Sequence, residues 1–413
     1  MKVFSSTLKG SVSAPKSKSL THRGFLLTSL SNGVSVIGNP LFCEDTECTL
    51  KAAEQFGAKV EKSASSVTVT GGNLHAPAAE IDCGNSASAM RMLAGIAAQL
   101  EGTVRFTGDA SLKKRPMMPL LSALSSAGVA VCSADGYAPF AVTGPMNQRR
   151  IAVSADISSQ FVSGLLLGAP LTGLDITLTT PAVSRPYIEM TVRMMERFGA
   201  DVRRTKTGYA VKKGAYRAQN IKIAGDYSSA AYLLVAGVLT GCVTVTGLNP
   251  GSFQGDAAVI SFLAEFGAKL TVCGEEVTAE KSRLHGAVLD LTDTPDLFPI
   301  LAVCAAFADG ISSFTGISRL RTKESDRIAA VTAFLKAMGA DISIEADDTC
   351  IIRGGKPMHG ANVSSAGDHR IAMAACIAGL AAEGCTVIDD VSCTAVSYPS
   401  FLQDIITLGA VTE

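Results

Sequence analysis

Two patterns of apolar and polar positions alternate along the whole chain. In the first, an amphipathic helical pattern ends at a glycine, usually followed by alanine, and a short strand-like segment comes next. A glycine after a helical segment is a common C-terminal cap, and β-branched residues favour strands. The glycines of this pattern are Gly57, Gly128, Gly199, Gly267, Gly339 and Gly409. Their spacings of 71, 71, 68, 72 and 70 residues predict a structural repeat.

The second pattern keeps step with the first and consists of a helix of small apolar residues, a glycine and a strand. Its glycines are Gly33, Gly102, Gly173, Gly241, Gly310 and Gly384. A period near 70 residues is too long for a solenoid repeat and fits a compact unit of two helices and several strands. We therefore predict an α/β (α+β) fold of two similar domains, each with three βαβαββ repeats.

The two ends of the chain indicate where the domains divide. The last repeat stops at Glu413 directly after its final Gly-Ala strand, whereas earlier repeats continue with strand-like sequence such as residues 137–142. Residues 2–12 carry no helical pattern of their own. We expect residues 1–12 and 224–413 to form the C-terminal domain, and residues 13–223 to form the N-terminal domain.

Composition excludes several classes of protein. Of 413 residues 47% are apolar, and the longest apolar runs, 297–308 and 371–382, are shorter than the roughly 20 residues of a membrane span. A net charge of −1 gives no general attraction for nucleic acid or a membrane surface. The eleven cysteines form no C-x-x-C pair, so we expect reduced cysteines in a cytoplasmic protein and no metal site.

Each repeat begins its first helix with a polar cluster. The clusters are KSLTHR (18–23), GNSASAMR (84–91), SSQ (158–160), GDYSS (225–229), TPD (294–296) and GDHR (367–370). Helix N-termini bind anions, although Ser, Thr, Asp and Asn there also serve as ordinary caps. Capping alone accounts well for GDYSS and for residues 84–88. It does not explain cations such as Lys18, Arg23 and Arg370, which are unfavourable at a helix N-terminus without an anion.

Two further charged segments lie outside the helix starts, KKRP (113–116) and RLRTKESDR (319–327). Either could be a solvated surface run. The second, however, mixes both charge signs densely just before an apolar helical pattern. That arrangement favours acid–base chemistry on a bound anion.

Taken in order, PKSKSLTHR, GNSASAMR, KKRP, SSQF, SRPY, TKESDR and GDHR resemble the motifs of the 5-enolpyruvylshikimate-3-phosphate (EPSP) synthase family. The resemblance extends from about Lys18 to the C-terminus. It implies an inside-out α/β barrel in each domain and an active site in the interdomain cleft. It also implies transfer of the enolpyruvyl group of phosphoenolpyruvate to the 5-hydroxyl of shikimate 3-phosphate, through a tetrahedral intermediate. From the resemblance we expect no cofactor and a monomer.

The resemblance assigns roles to individual residues. Asp296 is expected to accept a proton, Glu324 to take part in proton transfer to the enolpyruvyl methylene, and Lys18 to act with them. The residues expected to bind shikimate 3-phosphate are Lys18, Ser19, Arg23, Ser158, Ser159, Gln160, Ser184, Asp296 and Lys323. Those expected to bind phosphoenolpyruvate are Lys18, Asn85, Ala87, Arg115, Gln160, Arg327 and Arg370.

The chain departs from the family pattern at five positions, and at two of them Lys16 and His22 stand where the family often has Gly and Asn. Ala87 stands where many members have Gly, so we expect the herbicide glyphosate, which occupies the phosphoenolpyruvate pocket, to fit less well. Arg319 replaces an Asn of some members. Val396 stands where some members carry a Lys against phosphoenolpyruvate, so one cation expected there is absent from the sequence.

Two other functions compete with this interpretation. The sister enzyme that transfers enolpyruvyl to a UDP-amino sugar typically has a cysteine before its Arg-Pro pair, whereas this loop reads GDASLKKRP. A non-catalytic anion-binding protein would explain the cations. It would not need Asp296 and Glu324, because their negative charge opposes anion binding.

Overall fold

The computed structural model describes residues 1–346 and 348–413, which form two compact units. Unit 2 is the continuous segment Lys16–Ile223, and unit 1 combines Met1–Pro15 with Ala224–Glu413. The first division therefore falls after Pro15, whereas the sequence placed it after Val12. The second falls after Ile223.

Helices occur at regular intervals through the described residues. They are α1 (Lys18–Leu30), α2 (Glu44–Gln55), α3 (Ala87–Ala97), α4 (Met118–Ser126), α5 (Ser159–Gly168), α6 (Arg185–Arg197), α7 (Tyr227–Thr240), α8 (Val259–Glu265), α9 (Phe298–Ala306), α10 (Arg327–Ala337), α11 (His369–Ala381) and α12 (Phe401–Thr407). Short 3-10 helices lie at Leu112–Lys114, Ala169–Leu171, Gly255–Ala258, Pro295–Leu297, Ser318–Thr322 and Ser392–Val396.

The strands are short and belong to six small sheets in the described residues. The strands up to the middle of the chain are β1 (Lys2–Phe4), β2 (Lys9–Ser13), β3 (Ser31–Gly38), β4 (Lys59–Lys62), β5 (Ser66–Gly71), β6 (Ile81–Asp82), β7 (Gly102–Thr107), β8 (Ala130–Ala134), β9 (Tyr137–Gly144), β10 (Arg150–Val153), β11 (Leu174–Leu178), β12 (Val202–Arg204) and β13 (Gly208–Val211). The remainder are β14 (Tyr216–Arg217), β15 (Ile221–Lys222), β16 (Cys242–Thr246), β17 (Lys269–Cys273), β18 (Glu276–Glu280), β19 (Val288–Asp290), β20 (Ile311–Thr315), β21 (Asp341–Glu345), β22 (Thr349–Arg353), β23 (Asn362–Val363), β24 (Cys385–Ile388) and β25 (Val411–Thr412).

The third repeat shows the pattern that the others follow. It runs β10, α5, β11, α6, β12, β13, and its strands lie in the order β10-β11-β13-β12. β10 and β11 are parallel, with Arg150 opposite Asp175, and the other two neighbouring pairs are antiparallel. The predicted α/β fold of βαβαββ repeats is confirmed. The chain leaves α6 through Gly199 at φ +90°, a conformation that glycine adopts without strain.

Three sheets are completed by strands that are distant in sequence. In unit 2, β14 and β15 run parallel to β3, so residues near the end of the unit supply the first strand of its first repeat. In unit 1, β2 runs parallel to β16, and β1 pairs with both β24 and β25. Each unit is therefore closed by its own terminal strands.

The first helix of each repeat forms the core of its unit. In unit 1, α7, α9 and α11 pack against one another and are buried along almost their whole length. A helix that is apolar on all sides is stable only inside a protein, which explains why these segments lack a polar face. The second helices and the sheets cover this core. The polar residues at the starts of the buried helices are thus held by well-packed elements.

No helix among the described residues is both long and apolar enough to cross a membrane.

Candidate active site

Lys18, the first residue of α1, is held by a buried carboxylate on α2. Its Nζ lies 2.9 Å from Asp45 Oδ2, and the Asp45 side chain is only 7% exposed. One helical turn further along both helices, His22 Nδ1 lies 2.6 Å from Thr49 Oγ1. Burial and the charges of Lys18 and Arg23 hold the pKa of His22 well below its usual value, so its ring is neutral. These two contacts fix α1 against α2 and place the Lys18 ammonium at the start of α1.

Arg23 joins three helices of unit 2. Its Nε donates to Thr191 Oγ1 at 2.7 Å, its Nη1 to the Ser19 carbonyl at 3.0 Å and its Nη2 to the Tyr187 carbonyl at 3.0 Å. Nη2 also lies 3.4 Å from Ser163 Oγ on α5. Burial lowers the pKa of Arg23 to about 10, so the guanidinium remains charged at neutral pH. A buried cation among neutral oxygens is well suited to a phosphate ligand.

The starts of α3 and α5 are connected by Arg91. Ser158 caps α5 by accepting from the Gln160 N–H, and Arg91 Nη1 donates to Ser158 Oγ at 3.2 Å and to Gln160 Oε1 at 3.1 Å. Gln160 Nε2 in turn donates to Ser88 Oγ at 2.7 Å, and the Arg91 guanidinium lies 5.0 Å from the centre of the Phe161 ring. The neighbouring Ser159 is buried as the first residue of α5.

Asn85 and Arg115 are also brought together, since Arg115 Nη2 donates to Asn85 Oδ1 at 2.8 Å. Asn85 Nδ2 donates to Asp109 Oδ2 at 2.7 Å, which fixes the orientation of the amide. Ala87 opens α3 and is 7% exposed. Ser184 precedes α6 with a left-handed φ of +48°, which turns the chain sharply into that helix.

In unit 1, Asp296 is bound by three cations. Arg327 Nη1 lies 2.8 Å from its Oδ1, Lys323 Nζ lies 3.3 Å from the same oxygen, and Arg370 Nη2 lies 3.1 Å from Oδ2. Asp296 belongs to the 3-10 helix Pro295–Leu297, and its side chain remains 23% exposed. The carboxylate is therefore held firmly and is still accessible from outside.

Arg327 is the centre of this cluster and is 1% exposed. Burial opposes its charge, but the carboxylates of Asp368, Glu324 and Asp296 outweigh burial and raise its pKa. The Nη2–Glu324 Oε2 distance is 2.7 Å, and the Nε–Asp368 Oδ2 distance is 2.8 Å. Burial would raise the pKa of Asp368, yet Arg327 lowers it overall, while burial lowers the pKa of Lys323. Arg327 thus orders the carboxylates of Glu324 and Asp368 as well as that of Asp296.

The cluster has a charge balance suited to proton transfer beside an anion. Its three cations, Lys323, Arg327 and Arg370, match the three carboxylates of Asp296, Glu324 and Asp368. If Asp296 accepts a proton, one positive charge is left over. That excess charge favours a negatively charged species formed in the same step.

Three contact residues were not selected from the sequence: Asp45, Arg91 and Asp368. Arg91 and Asp368 lie within the motifs GNSASAMR and GDHR, and Arg91 is three residues after Ser88, on the same face of α3. Asp45 lies among acidic residues in the first turn of α2, where such residues are common in any helix. Nothing in the sequence therefore indicated that Asp45 pairs with Lys18.

Two further departures from the family pattern, Arg319 and Val396, lie in 3-10 helices. Arg319 lies in the 3-10 helix Ser318–Thr322, where its Nη2 donates to the Thr292 carbonyl, and its charge contributes to lowering the pKa of Lys323. Val396 ends the 3-10 helix Ser392–Val396 and is half-buried. Within the described residues no group of His, Cys, Asp or Glu side chains is arranged to hold a metal ion.

Comparison with known proteins identifies relatives along the whole chain. Residues 4–405 match the family model described as EPSP synthase (3-phosphoshikimate 1-carboxyvinyltransferase). The 3-phosphoshikimate 1-carboxyvinyltransferase of Methanocorpusculum labreanum is 50% identical over 99% of this chain and 98% of its own. The enzymes of the same name from Halobacterium salinarum and Methanocaldococcus jannaschii are each 40% identical, over at least 97% of both chains.

Solved structures give a matching result. EPSP synthase from Acinetobacter baumannii superimposes with a TM-score of 0.84 at 29% identity, covering 100% of this chain and 99% of the other. The enolpyruvyl transferase NikO from Streptomyces tendae superimposes with a TM-score of 0.80 at 19% identity, covering 99% of this chain and 97% of the other. The second likeness concerns the fold alone.

Proposed function

The chain belongs to the EPSP synthase family, and from that premise we propose how its own residues carry out the family's reaction. The enzyme transfers the enolpyruvyl group of phosphoenolpyruvate to the 5-hydroxyl of shikimate 3-phosphate and releases phosphate. This reaction belongs to the shikimate pathway, which leads to chorismate and the aromatic amino acids. The observation that carries the residue assignment is Asp296, a partly exposed carboxylate held by three cations.

Shikimate 3-phosphate is proposed to bind mainly through unit 2. Helix N-termini at α1 and α5 offer N–H groups, and Arg23 offers a charge already desolvated by burial. Because burial has removed its water, the guanidinium loses little hydration when a phosphate arrives. The proposed binding residues are Lys18, Ser19, Arg23, Ser158, Ser159, Gln160 and Ser184, together with Asp296 and Lys323.

Phosphoenolpyruvate is proposed to bind through the arginines. Arg115 is oriented by Asn85, and Arg327 and Arg370 are oriented by carboxylates, so their forks are ordered before the ligand arrives. Planar guanidinium groups bind phosphate and carboxylate through paired hydrogen bonds. The remaining proposed contacts are Lys18, Asn85, Ala87 and Gln160.

The reaction needs three proton transfers: one from the sugar hydroxyl, one to C3 and one from C3. As the sugar O5 bonds to C2 of phosphoenolpyruvate, Asp296 takes the hydroxyl proton and C3 gains a proton, giving a tetrahedral adduct. The C2–O bond to phosphate then breaks, phosphate leaves, and C3 loses a proton to restore the double bond. We assign the transfers at C3 to Glu324 acting with Lys18. The Arg and Lys side chains supply the positive charge that stabilises the anionic substrates and the adduct in each step. The proposal therefore requires no metal or organic cofactor.

The activity is tested by measuring phosphate release from phosphoenolpyruvate with two acceptors, shikimate 3-phosphate and UDP-N-acetylglucosamine. We expect turnover with the first acceptor only. Turnover with the UDP-sugar alone would overturn the assignment, and release without any acceptor would show simple hydrolysis. Asp296→Asn should lower this turnover. Asp326→Asn is its matched control, since Asp326 caps α10 and pairs with Arg321 outside the Asp296 cluster.

We also propose a cytoplasmic, monomeric enzyme. The cysteines of the described residues are all free thiols, as is typical of a reducing compartment. Every residue assigned above comes from the one chain. Sedimentation equilibrium would test the monomer.

A further inference from the structure

Arg319 has no part in the reaction as described so far. It belongs to the 3-10 helix Ser318–Thr322, is half-buried and lies four residues before Lys323. Ordering a half-buried arginine costs side-chain freedom and part of the hydration of its charge. A specific contact that offsets these costs is therefore expected.

Two chain segments leave the neighbouring strands β19 and β20 side by side. The Leu291 N–H donates to the Thr315 carbonyl at 2.9 Å, directly after the parallel pairing of these strands. One residue further along, a Cβ atom on Gly316 would lie 2.5 Å from the Thr292 nitrogen, so the two backbones touch there. The sheet therefore fixes the position at which both segments begin.

Beyond the sheet, side chains join the same two segments. Arg319 Nη2 donates a hydrogen bond to the Thr292 carbonyl. Four residues further along each segment, Lys323 Nζ lies 3.3 Å from Asp296 Oδ1. Arg319 is thus the link between the strands and the pair formed by Asp296 and Lys323.

Arg319 differs from the other cations near Asp296 in the group that it holds. Arg327 and Arg370 bind the Asp296 carboxylate itself, whereas Arg319 binds a backbone carbonyl four residues earlier. A carboxylate that accepts a proton must lie within hydrogen-bond distance of the donor hydroxyl. The backbone position of the loop therefore matters as well as the contacts of the side chain.

We propose that Arg319 is a positioning residue that holds the loop carrying Asp296 against the segment carrying Lys323. It acts on the reaction through Asp296 and does not touch the substrates. Without this bond the loop is fixed only by β19 and by the cations around Asp296, and the part between them is held less tightly. A misplacement of about 1 Å can lower a rate by about 100-fold. The inference rests on the proposed role of Asp296 as the proton acceptor.

The main test is a double-mutant cycle on kcat with Arg319→Met and Asp296→Asn. Methionine keeps an unbranched side chain and removes the hydrogen-bond donor, so Arg319→Met alone should lower kcat by up to about 100-fold. In the Asp296→Asn background it should change kcat by less than about threefold, because residues that act as a unit are not additive. Additive losses would overturn the inference, since a general structural defect or a direct contact with substrate acts independently of Asp296.

The Michaelis constants provide a second readout. KM for phosphoenolpyruvate should stay nearly unchanged in Arg319→Met, because Arg327 keeps its bond to Asp368. A large rise in this KM would show that Arg319 binds the substrate itself, which would also overturn the inference. Arg321→Met is the matched control, because Arg321 lies in the same 3-10 helix and pairs with Asp326 outside the cluster. Its kcat should equal that of wild type, and an equal loss in both variants would count against a specific role of Arg319.

Two further variants keep the test decisive. Arg319→Lys retains a charged donor, and one hydrogen bond to a carbonyl does not need the planar fork of arginine, so kcat should recover to within about tenfold of wild type. No recovery would mean that the bond to Thr292 is not what Arg319 contributes. If Arg319→Met does not fold, Arg319→Gln replaces it in the cycle, because its amide is two bonds shorter and does not reach the Thr292 carbonyl. A wild-type enzyme inactive with shikimate 3-phosphate would instead overturn the proposed function.

Discussion

At the residue scale, the pairing of Lys18 with Asp45 makes one substitution act on both binding and stability. Lys18→Met would remove the charge-assisted contact proposed between Lys18 and shikimate 3-phosphate, a loss of about 1.5–3 kcal/mol, or roughly 10- to 150-fold in affinity. It also leaves the Asp45 carboxylate, 7% exposed, without its nearest cation. We expect weaker binding of shikimate 3-phosphate in calorimetry and a lower melting temperature.

The double variant Lys18→Met/Asp45→Asn separates these two effects. Neutralising Asp45 removes the unpaired buried charge, so the melting temperature should recover while the affinity stays low. Recovery of affinity as well would show that Lys18 serves only to pair with Asp45.

Asp296 and Glu324 are expected to affect the rate of turnover more than the binding of substrates. A general acid or base contributes about 10²–10⁴-fold, so Asp296→Asn and Glu324→Gln should lower kcat by that range. Arg327 keeps its bond to Asp368 in either variant, which preserves the fold of the cluster. Steady-state kinetics with each substrate varied separately would show the effect. A large rise in KM with kcat unchanged would mean that these carboxylates only orient cations.

Ala87 is expected to reduce sensitivity to glyphosate. Its methyl group is buried at the first residue of α3, and overpacking a tight site costs about 1–3 kcal/mol, or roughly 5- to 150-fold in affinity. Ala87→Gly should therefore be inhibited more strongly by glyphosate, with a similar KM for phosphoenolpyruvate. Ala89→Gly removes a methyl group from the same helix and should leave inhibition unchanged. Equal inhibition of wild type and Ala87→Gly would assign Ala87 to helix stability alone.

At the element scale, the caps of α10 and α11 provide a comparison between an exposed and a buried aspartate. Asp368 is fully buried and bonded to Arg327, whereas the Asp326 side chain is 38% exposed. Asn caps a helix as well as Asp, so each Asp→Asn change leaves the cap intact and removes only the charge. Asp368→Asn should lower the free energy of unfolding by about 3–5 kcal/mol, and Asp326→Asn by at most about 1 kcal/mol. Urea unfolding measures both, and similar losses would contradict a buried charge pair.

The elements were predictable from the sequence wherever a local pattern repeats. Gly199 and its five counterparts end their helices, and the segment 137–142 lies within β9 (Tyr137–Gly144), because glycine caps and strand-like segments are local signals. The strands β14 and β15 were not predicted as partners of β3. Their pairing depends on contacts between residues far apart in the chain, which no local pattern encodes.

Candidate site residues show the same division between local and distant signals. Cations such as Lys18 and Arg370 were found because a positive charge at a helix start is unfavourable on its own. Asp45 was missed because an acidic residue near a helix start is ordinary. Its significance comes from its burial beside Lys18, which only the structure supplies.

At the scale of the whole molecule, each unit holds all the strands of its own sheets, so each should fold without the other. Unit 2, Lys16–Ile223, is continuous and contains β3 to β15. Unit 1 is interrupted, but its two cut ends are adjacent, since the Asp226 N–H donates to the Pro15 carbonyl at 2.8 Å. A short glycine linker can therefore join Pro15 to Ala224 without straining β2 or α7.

We expect the segment Lys16–Ile223 and the rejoined chain 1–15/224–413 each to unfold cooperatively, with dispersed amide resonances in NMR spectra. Neither should transfer enolpyruvyl, because the proposed catalytic residues Lys18 and Asp296 are then in separate chains. Deleting residues 1–8 from the rejoined chain is the informative control. That deletion removes β1, which pairs with both β24 and β25, so this variant should lose cooperative unfolding. A rejoined chain that folds equally well without β1 would show that the terminal strand does not complete unit 1.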